Sequence, residues 1–213
     1  GVFNVKPGDH VSLESHIFCG TCHQCQSGRA HLCTATRYPG IDIDGGFAPW
    51  MVAPASIAWI NPPSLEHTIA AMLEPFGIAV HASLEGSGVS GQTVLVNGCG
   101  PIGLMNVAAA RVLGARTIIA ADLNPLRLEL AARLGADRTV DAARESVPDA
   151  VRDLTAGQGV DVGIEYSGSE AGFRAVYESI TKGGDFRLVG APPQAISVDF
   201  TFWLQKCPRM INI

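Results

Sequence analysis

Residues 93–103 read Thr-Val-Leu-Val-Asn-Gly-Cys-Gly-Pro-Ile-Gly. A short apolar run, Thr93–Asn97, is bounded by Gly91 and Gly98. That is the pattern of a buried strand. It passes into Gly98-Cys99-Gly100-Pro101-Ile102-Gly103, and Pro101–Leu113 then reads as a helix. Ile102, Met105, Ala109 and Val112 recur at helical spacing, and Gly114 follows as a stop. Downstream, Thr117–Ala121 predicts a second strand, and Asn124-Pro125 predicts a capped helix start. Leu126, Leu130 and Leu134 are expected to be that helix's buried stripe, ended by Gly135. The alternation continues through strands at Arg138–Val140, Asp161–Tyr166, Asp185–Val189 and Arg209–Ile213. Helices are expected over Ser146–Thr155 and Ala171–Ile180. Strand and helix alternating at this spacing give an α/β fold, a doubly wound parallel sheet with crossover helices.

Each glycine of the turn has a physical role. The first permits the tight turn, the second lets a pyrophosphate approach the backbone, and the third allows helix and strand to pack closely. The helix N-terminus supplies free N–H groups and the positive end of a dipole. The alternative is an ordinary glycine-rich strand–helix turn. Asp122 ends the second strand, 19 residues after Gly103. A carboxylate there accepts hydrogen bonds from the adenosine ribose of NAD and repels a 2′-phosphate. Its plainer reading is a strand-end cap. Leu123-Asn124-Pro125-Leu126 offer no positive charge, and Arg127 is expected at the pocket rim or as a solvated helix residue.

The 213 residues are 47% hydrophobic and 16% charged, which suits a packed chain and excludes overall disorder. The formal charge of −5 leaves no basic face for nucleic acid. No window reads as a membrane helix and no signal segment opens the sequence, so a cytoplasmic protein is expected, with neither nucleic-acid nor membrane partners. Four of six cysteines fall in Cys19-x2-Cys22-x2-Cys25-x7-Cys33. Four thiolates satisfy tetrahedral zinc and leave no open position, so the ion is expected to be structural. An iron–sulfur cluster has a different fourth spacing, and paired disulfides are awkward two residues apart. His23 and His31 lie in this loop and are expected to face solvent. No second ligand set is evident. The pattern changes near residues 61–75, from turn-rich segments with extended runs at His10–Leu13 and Phe47–Ala53 to the alternating region. Gly1–Val11 reads as a turn feeding a strand in the middle of a β domain and the final run as the start of a strand, so an internal fragment of a longer protein is expected. The three tryptophans are expected in a core or an interface.

Ser15-His16-Ile17-Phe18-Cys19-Gly20-Thr21-Cys22 through His31-Leu32-Cys33 resembles the structural-zinc lobe of medium-chain zinc alcohol dehydrogenases. Leu73-Glu74-Pro75-Phe76-Gly77-Ile78-Ala79-Val80-His81, the glycine turn, Glu165-Tyr166-Ser167-Gly168 and Leu188-Val189-Gly190-Ala191-Pro192-Pro193 continue the likeness. Within that family the chain is most similar to the threonine and polyol dehydrogenase branch. The resemblance implies part of a GroES-like β domain over 1–73 and a Rossmann NAD-binding domain over 74–213, truncated at its C-terminal end.

It also implies a catalytic zinc held by a Cys and a His–Glu pair, positions that would precede Gly1. Cys99 and Cys207 have no suitable neighbours to replace them. Glu74 matches the position that completes or adjoins that zinc shell and can pass a proton. It also suits a helix N-terminus. His16 matches a histidine near the substrate cleft, or is a polar strand-end residue. His81 is expected to pack on its helix. Val189, Gly190 and Ala191 match contacts to the nicotinamide half. The implied activity is hydride transfer from a secondary alcohol, of threonine or polyol type, to NAD in a dimeric or tetrameric protein. The 213 residues alone are expected to lack that activity. The rival reading is a non-catalytic dinucleotide-binding or interaction protein.

Overall fold

The computed structural model describes residues 2–213, which divide into two compact units, Gly1–Glu74 and Pro75–Ile213. The first unit is mostly turns. It holds β1 (Val11–Leu13), α1 (His23–Gln26), β2 (Ala58–Ile60) and α2 (His67–Ala70). β1 and β2 pair antiparallel, Val11 opposite Ile60. The run Phe47–Ala53 forms no strand, and Phe47, Trp50 and Val52 are exposed. Helix α3 (Leu73–Leu84) leads into the second unit.

The second unit is the alternating region. Its elements are β3 (Thr93–Asn97), α4 (Pro101–Val112), β4 (Thr117–Asp122), α5 (Pro125–Leu134), β5 (Arg138–Asp141), α6 (Val147–Leu154), β6 (Val160–Glu165), α7 (Glu170–Ser179), β7 (Ile180–Leu188), α8 (Phe200–Lys206) and β8 (Arg209–Asn212). The strands form one six-stranded sheet in the order β5-β4-β3-β6-β7-β8, parallel throughout. The order reverses at β3, where a doubly wound sheet opens a crevice at its carboxyl end. Successive residues of a strand face opposite sides. Val94 and Val96 therefore pack in one core layer with Val107, Ile118 and Ile164, and Leu95 in the other with Ile119, Phe173 and Phe186. A strand covered on both faces must be apolar throughout, which explains the unbroken run that marks β3.

Two helix faces differ from the sequence expectation. In α4 the buried residues are Gly103, Asn106, Val107, Ala109 and Ala110, and Val112 is exposed. In α5 they are Leu128 and Ala131, whereas Leu126 and Leu134 are exposed. Small residues let a helix lie close on the sheet, so glycine and alanine mark the inner face more faithfully than the larger leucines. Asn124 caps α5 as expected, its side chain accepting from the Leu126 N–H at 2.9 Å. Trp203 stacks on Tyr177, but Trp50 and Trp59 are exposed and belong to no core.

Candidate metal and dinucleotide sites

The cysteine loop closes on itself. Gly20 adopts φ +75°, a left-handed turn between Cys19 and Cys22. One short helix, α1, then carries Cys25 one turn beyond Cys22. The Cys22 Sγ lies 3.5 Å from that of Cys25 and 3.9 Å from that of Cys33, and Cys19 Sγ is 4.0 Å from Cys25 Sγ. A tetrahedron of thiolates about zinc at about 2.3 Å has edges of roughly 3.8 Å. The observed spacing fits zinc without rearrangement. Backbone N–H groups complete the site. Those of Cys19 and Ala35 donate to Cys33 Sγ and that of Cys22 to Cys19 Sγ, each at 3.3 Å. N–H donors from Cys25 and Thr34 lower the Cys22 thiol to about 5, while burial and then the hydrogen bond with Cys22 push that of Cys25 up to about 12. His23 and His31 are exposed and outside the sulfur cluster.

A second group of possible ligands lies in the same unit, and in it Glu14, which the sequence did not single out, joins His16 and Glu74. One atom each from Glu14, His16 and Glu74 fall within 4.8 Å of one another. Here β1 ends and the chain turns, so Glu14, Ser15 and His16 present successive side chains beside Glu74 at the start of α3. The Ser15 hydroxyl donates to Glu74 Oε1 at 2.6 Å and lies 3.2 Å from His16 Nδ1. His16 Nδ1 is 2.7 Å from Glu14 Oε1. Burial alone would push the Glu14 carboxyl up, but its hydrogen bonds and charge interaction with His16 outweigh burial and lower it. Where the sequence made no second ligand set evident, three titratable groups surround one hydroxyl. Among the described residues no cysteine joins them, so the Cys and His–Glu ligands implied for a catalytic zinc are not supplied. Cys99 is buried in the glycine turn, its thiol pushed up to about 12 by burial and then by the Asp122 charge. Cys207 is exposed after α8.

The second unit carries a cleft of about 760 Å³ at the carboxyl ends of β3, β4 and β6. Gly98, Gly100, Asp122, Arg127, Tyr166 and Ser167 are among its lining residues. The glycines divide the labour as the sequence implies. A Cβ on Gly98 (φ +98°) would stand 2.7 Å from Ser167 N, and one on Gly103 would strike Gly98 O. A Cβ on Gly100 would meet nothing within 4 Å, so the backbone there faces open space in the cleft. Gly100 is the N-cap of α4 and Pro101 its first residue, so the free N–H groups of the first turn begin beside that space. These features fit a dinucleotide pyrophosphate.

Asp122 is 7% exposed along its side chain. Its Oδ2 accepts from Cys99 N at 2.7 Å and its Oδ1 from Asn124 N at 2.8 Å. The carboxylate therefore fastens the glycine turn, as the capping reading expects, and also lines the cleft. Arg127 Nη1 stands 3.7 Å from Asp122 Oδ2, and the half-exposed residue is among those lining the cleft. Glu165 was not singled out individually by the sequence. It is 1% exposed at the end of β6 and collects hydrogen bonds from two segments of this edge.

The zinc-binding dehydrogenase family matches residues 101–212, and the alcohol dehydrogenase GroES-like domain matches residues 1–63. L-threonine 3-dehydrogenase of Paraburkholderia phymatum is 44% identical over 194 residues, 91% of this chain and 56% of that protein. The Bacillus velezensis enzyme of the same name is 42% identical over 200 residues, 94% of this chain and 58% of that protein. The chain thus spans a little over half the length of these curated relatives. Galactitol-1-phosphate dehydrogenase from Escherichia coli superposes with a TM-score of 0.93 at 27% identity, covering 100% of this chain and 62% of that one. A zinc-binding dehydrogenase from Sinorhizobium meliloti, bound to NADP, superposes with a TM-score of 0.90 at 31% identity, covering 99% and 63%. With a parallel doubly wound sheet, a fitted glycine turn and a four-thiolate lobe in one sequence, the chain belongs to the zinc-binding dehydrogenase family.

Proposed function

We propose that this chain is the cofactor-binding and proton-handling part of a zinc-dependent oxidoreductase that transfers hydride from a secondary alcohol, of threonine or polyol type, to NAD. The observation that carries the reading is the pairing of open space over Gly100 with Asp122 at the end of the adjacent strand. NAD supplies the hydride acceptor. Gly100, Ile102 and Gly103 offer backbone N–H groups and the helix dipole to its pyrophosphate, while Gly98, whose N–H is bonded to Ala121 O, and Pro101, which has no N–H, shape the turn. Asp122 offers carboxylate lone pairs to the adenosine ribose. Val189, Gly190 and Ala191 support the nicotinamide half. Arg127 is long and half exposed, and it balances part of the Asp122 charge.

In the first unit, Glu74, Ser15 and His16 make a continuous hydrogen-bonded path. A proton accepted by Glu74 can pass to the Ser15 hydroxyl, which lies 3.2 Å from His16 Nδ1, and Glu14, 2.7 Å from the same nitrogen, fixes the orientation of the ring. His16 and Glu74 are the residues proposed for proton transfer. Since the residues present do not complete a catalytic zinc shell, no role in polarising the alcohol is assigned to them. The four reduced thiols suit a cytoplasmic location, and a homodimer or homotetramer is the proposed assembly.

Two experiments separate this reading from a non-catalytic dinucleotide-binding protein, which the incomplete zinc shell favours. Titration with NADH, followed by fluorescence, tests the cleft. Oxidation of threonine and a panel of polyols at high protein concentration tests the chemistry. The expected outcome is binding without turnover by these 213 residues, and turnover by a longer form that includes the missing ligands. Absence of NADH binding overturns the cofactor assignment. A longer form that binds NADH but oxidises none of these alcohols supports the non-catalytic reading.

A further inference from the structure

Glu165 is a buried acid with no cation beside it among the described residues. Its Oε1 accepts from Ser167 N at 2.8 Å, from Asn97 Nδ2 at 3.3 Å and from the Ser167 hydroxyl. Its Oε2 accepts from Gly168 N at 2.9 Å. The backbone oxygen of the same residue accepts from Val189 N at 3.0 Å and Gly190 N at 2.9 Å. One residue therefore ties together the end of β3, the turn before α7 and the segment after β7. Glycines enclose it. A Cβ on Gly172 would lie 2.7 Å from Oε1, and one on Gly190 would lie 2.8 Å from Oε2. The backbone donors and the Asn97 amide can only donate, so the arrangement is that of an acceptor-only carboxylate.

Taking a carboxylate out of water without a counter-ion is costly even where it is hydrogen-bonded. Asn97, Tyr166, Ser167 and Gly172, which surround Glu165, also line the cleft. The positive end of the α7 dipole, capped at Ser169, offsets the charge only in part. The group that differs in charge between the two states of the cofactor is the nicotinamide, a cation when oxidised and neutral when reduced.

We propose that Glu165 positions the nicotinamide half of the cleft and that its fixed negative charge biases the site toward the oxidised dinucleotide. The inference rests on the cofactor assignment made above. Two unit charges about 10 Å apart at an effective dielectric near 20 interact by an energy equivalent to roughly tenfold in affinity.

The test uses the 213-residue chain, with NADH affinity from fluorescence and NAD affinity from competition. Glu165→Gln removes the charge at nearly constant shape. It is expected to raise the ratio of the NAD to the NADH dissociation constant about tenfold. Ser167→Ala removes one donor and leaves the carboxylate less neutralised, so the ratio should fall about two- to threefold. It also serves if Glu165→Gln does not fold. Glu165→Asp keeps the charge and should weaken both ligands with the ratio held. Equal weakening of both ligands in Glu165→Gln, or an unchanged ratio in Ser167→Ala, reduces Glu165 to a structural role and overturns the proposal. Failure of the unmodified chain to bind either dinucleotide overturns the cofactor assignment itself, and this proposal with it.

Discussion

Replacing Asp185 by Ala should remove a large part of the second unit's stability. Asp185 lies on β7 and is 1% exposed, beside Arg187, which is 0% exposed. Its Oδ2 accepts from Ser87 N at 3.0 Å, Ser87 Oγ at 2.7 Å and Arg187 Nη2 at 2.9 Å. Its Oδ1 accepts from Arg209 Nε at 2.7 Å. Arg187 also donates to Ala82 O at 2.6 Å and Gly88 O at 2.9 Å, fastening the segment after α3. Loss of the carboxylate strands a buried guanidinium and orphans the Ser87 N–H. Breaking a buried pair costs about 3–5 kcal/mol, against a total of about 5–15 kcal/mol for a domain. The melting temperature should fall by about 10–20 °C.

The acid limb gives a second measure of the same pair. Burial alone would push the Asp185 carboxyl up, but Ser87, Arg187 and Arg209 outweigh it and bring it from 3.8 to about 2. A depressed acid stabilises the fold above its unfolded value. That contribution, about 2 kcal/mol, should be present near pH 5 and lost as pH falls from about 4 to about 2. Urea unfolding of the wild type and Asp185→Ala at pH 7 and pH 3 measures both effects. The double variant Asp185→Leu with Arg187→Met should recover part of the loss, because no buried charge is then unpaired. A cost below about 1 kcal/mol in Asp185→Ala would show that the pair behaves like a surface ion pair and would refute the reasoning.

One zinc per chain should survive dialysis at the thiolates, while any zinc at Glu14, His16 and Glu74 exchanges freely. Metal analysis that finds iron, or two retained zincs, contradicts this. Cys22→Ser should lose the retained ion and the order of its lobe, with NADH affinity within about twofold of wild type, since the glycine turn belongs to the other unit. Gly103→Ala should weaken NADH binding at least tenfold, because its Cβ would collide with Gly98 O and the turn must open. Asp122→Ala should narrow the preference for NAD over NADP, measured by paired titrations. It should also loosen the turn that Asp122 holds at Cys99 N, so NAD affinity itself falls.

The parts legible in the sequence were those with a short covalent span. The glycine turn, the cysteine spacing and the strand runs each place their contacts within a few residues, so spacing alone constrains their geometry. Helix faces were harder. In α5 the expected stripe of Leu126, Leu130 and Leu134 gave way to Leu128 and Ala131, because several registers satisfy a three-to-four repeat and only packing on the sheet selects one. Partners distant in sequence were invisible. Ser15 meets Glu74 across 59 positions, and Ser87 meets Asp185 across 98. Glu165 carried one faint signal, an acid closing the apolar strand Val160–Glu165. Such a charge at the carboxyl end of a central strand must be either paired or used.

That distinction separates three of the five acids carried by the sheet's strands. Asp185 stands within β7 and two arginines answer it, so its charge is spent on holding the fold. Asp122 and Glu165 end their strands at the cleft. Asp122 has a half-exposed arginine at 3.7 Å, which balances part of its charge. Glu165 has only hydrogen-bond donors. Negative charge that is at most partly balanced therefore gathers at the carboxyl edge, where a doubly wound sheet receives its ligand. The same edge offers the α4 and α7 N-termini, whose dipoles attract anions. A ligand suited to both would be anionic in its middle and would carry hydroxyl donors at one end and a cation at the other. An oxidised dinucleotide has that distribution: pyrophosphate for the α4 terminus, ribose hydroxyls for Asp122 and a pyridinium ring for the field of Glu165.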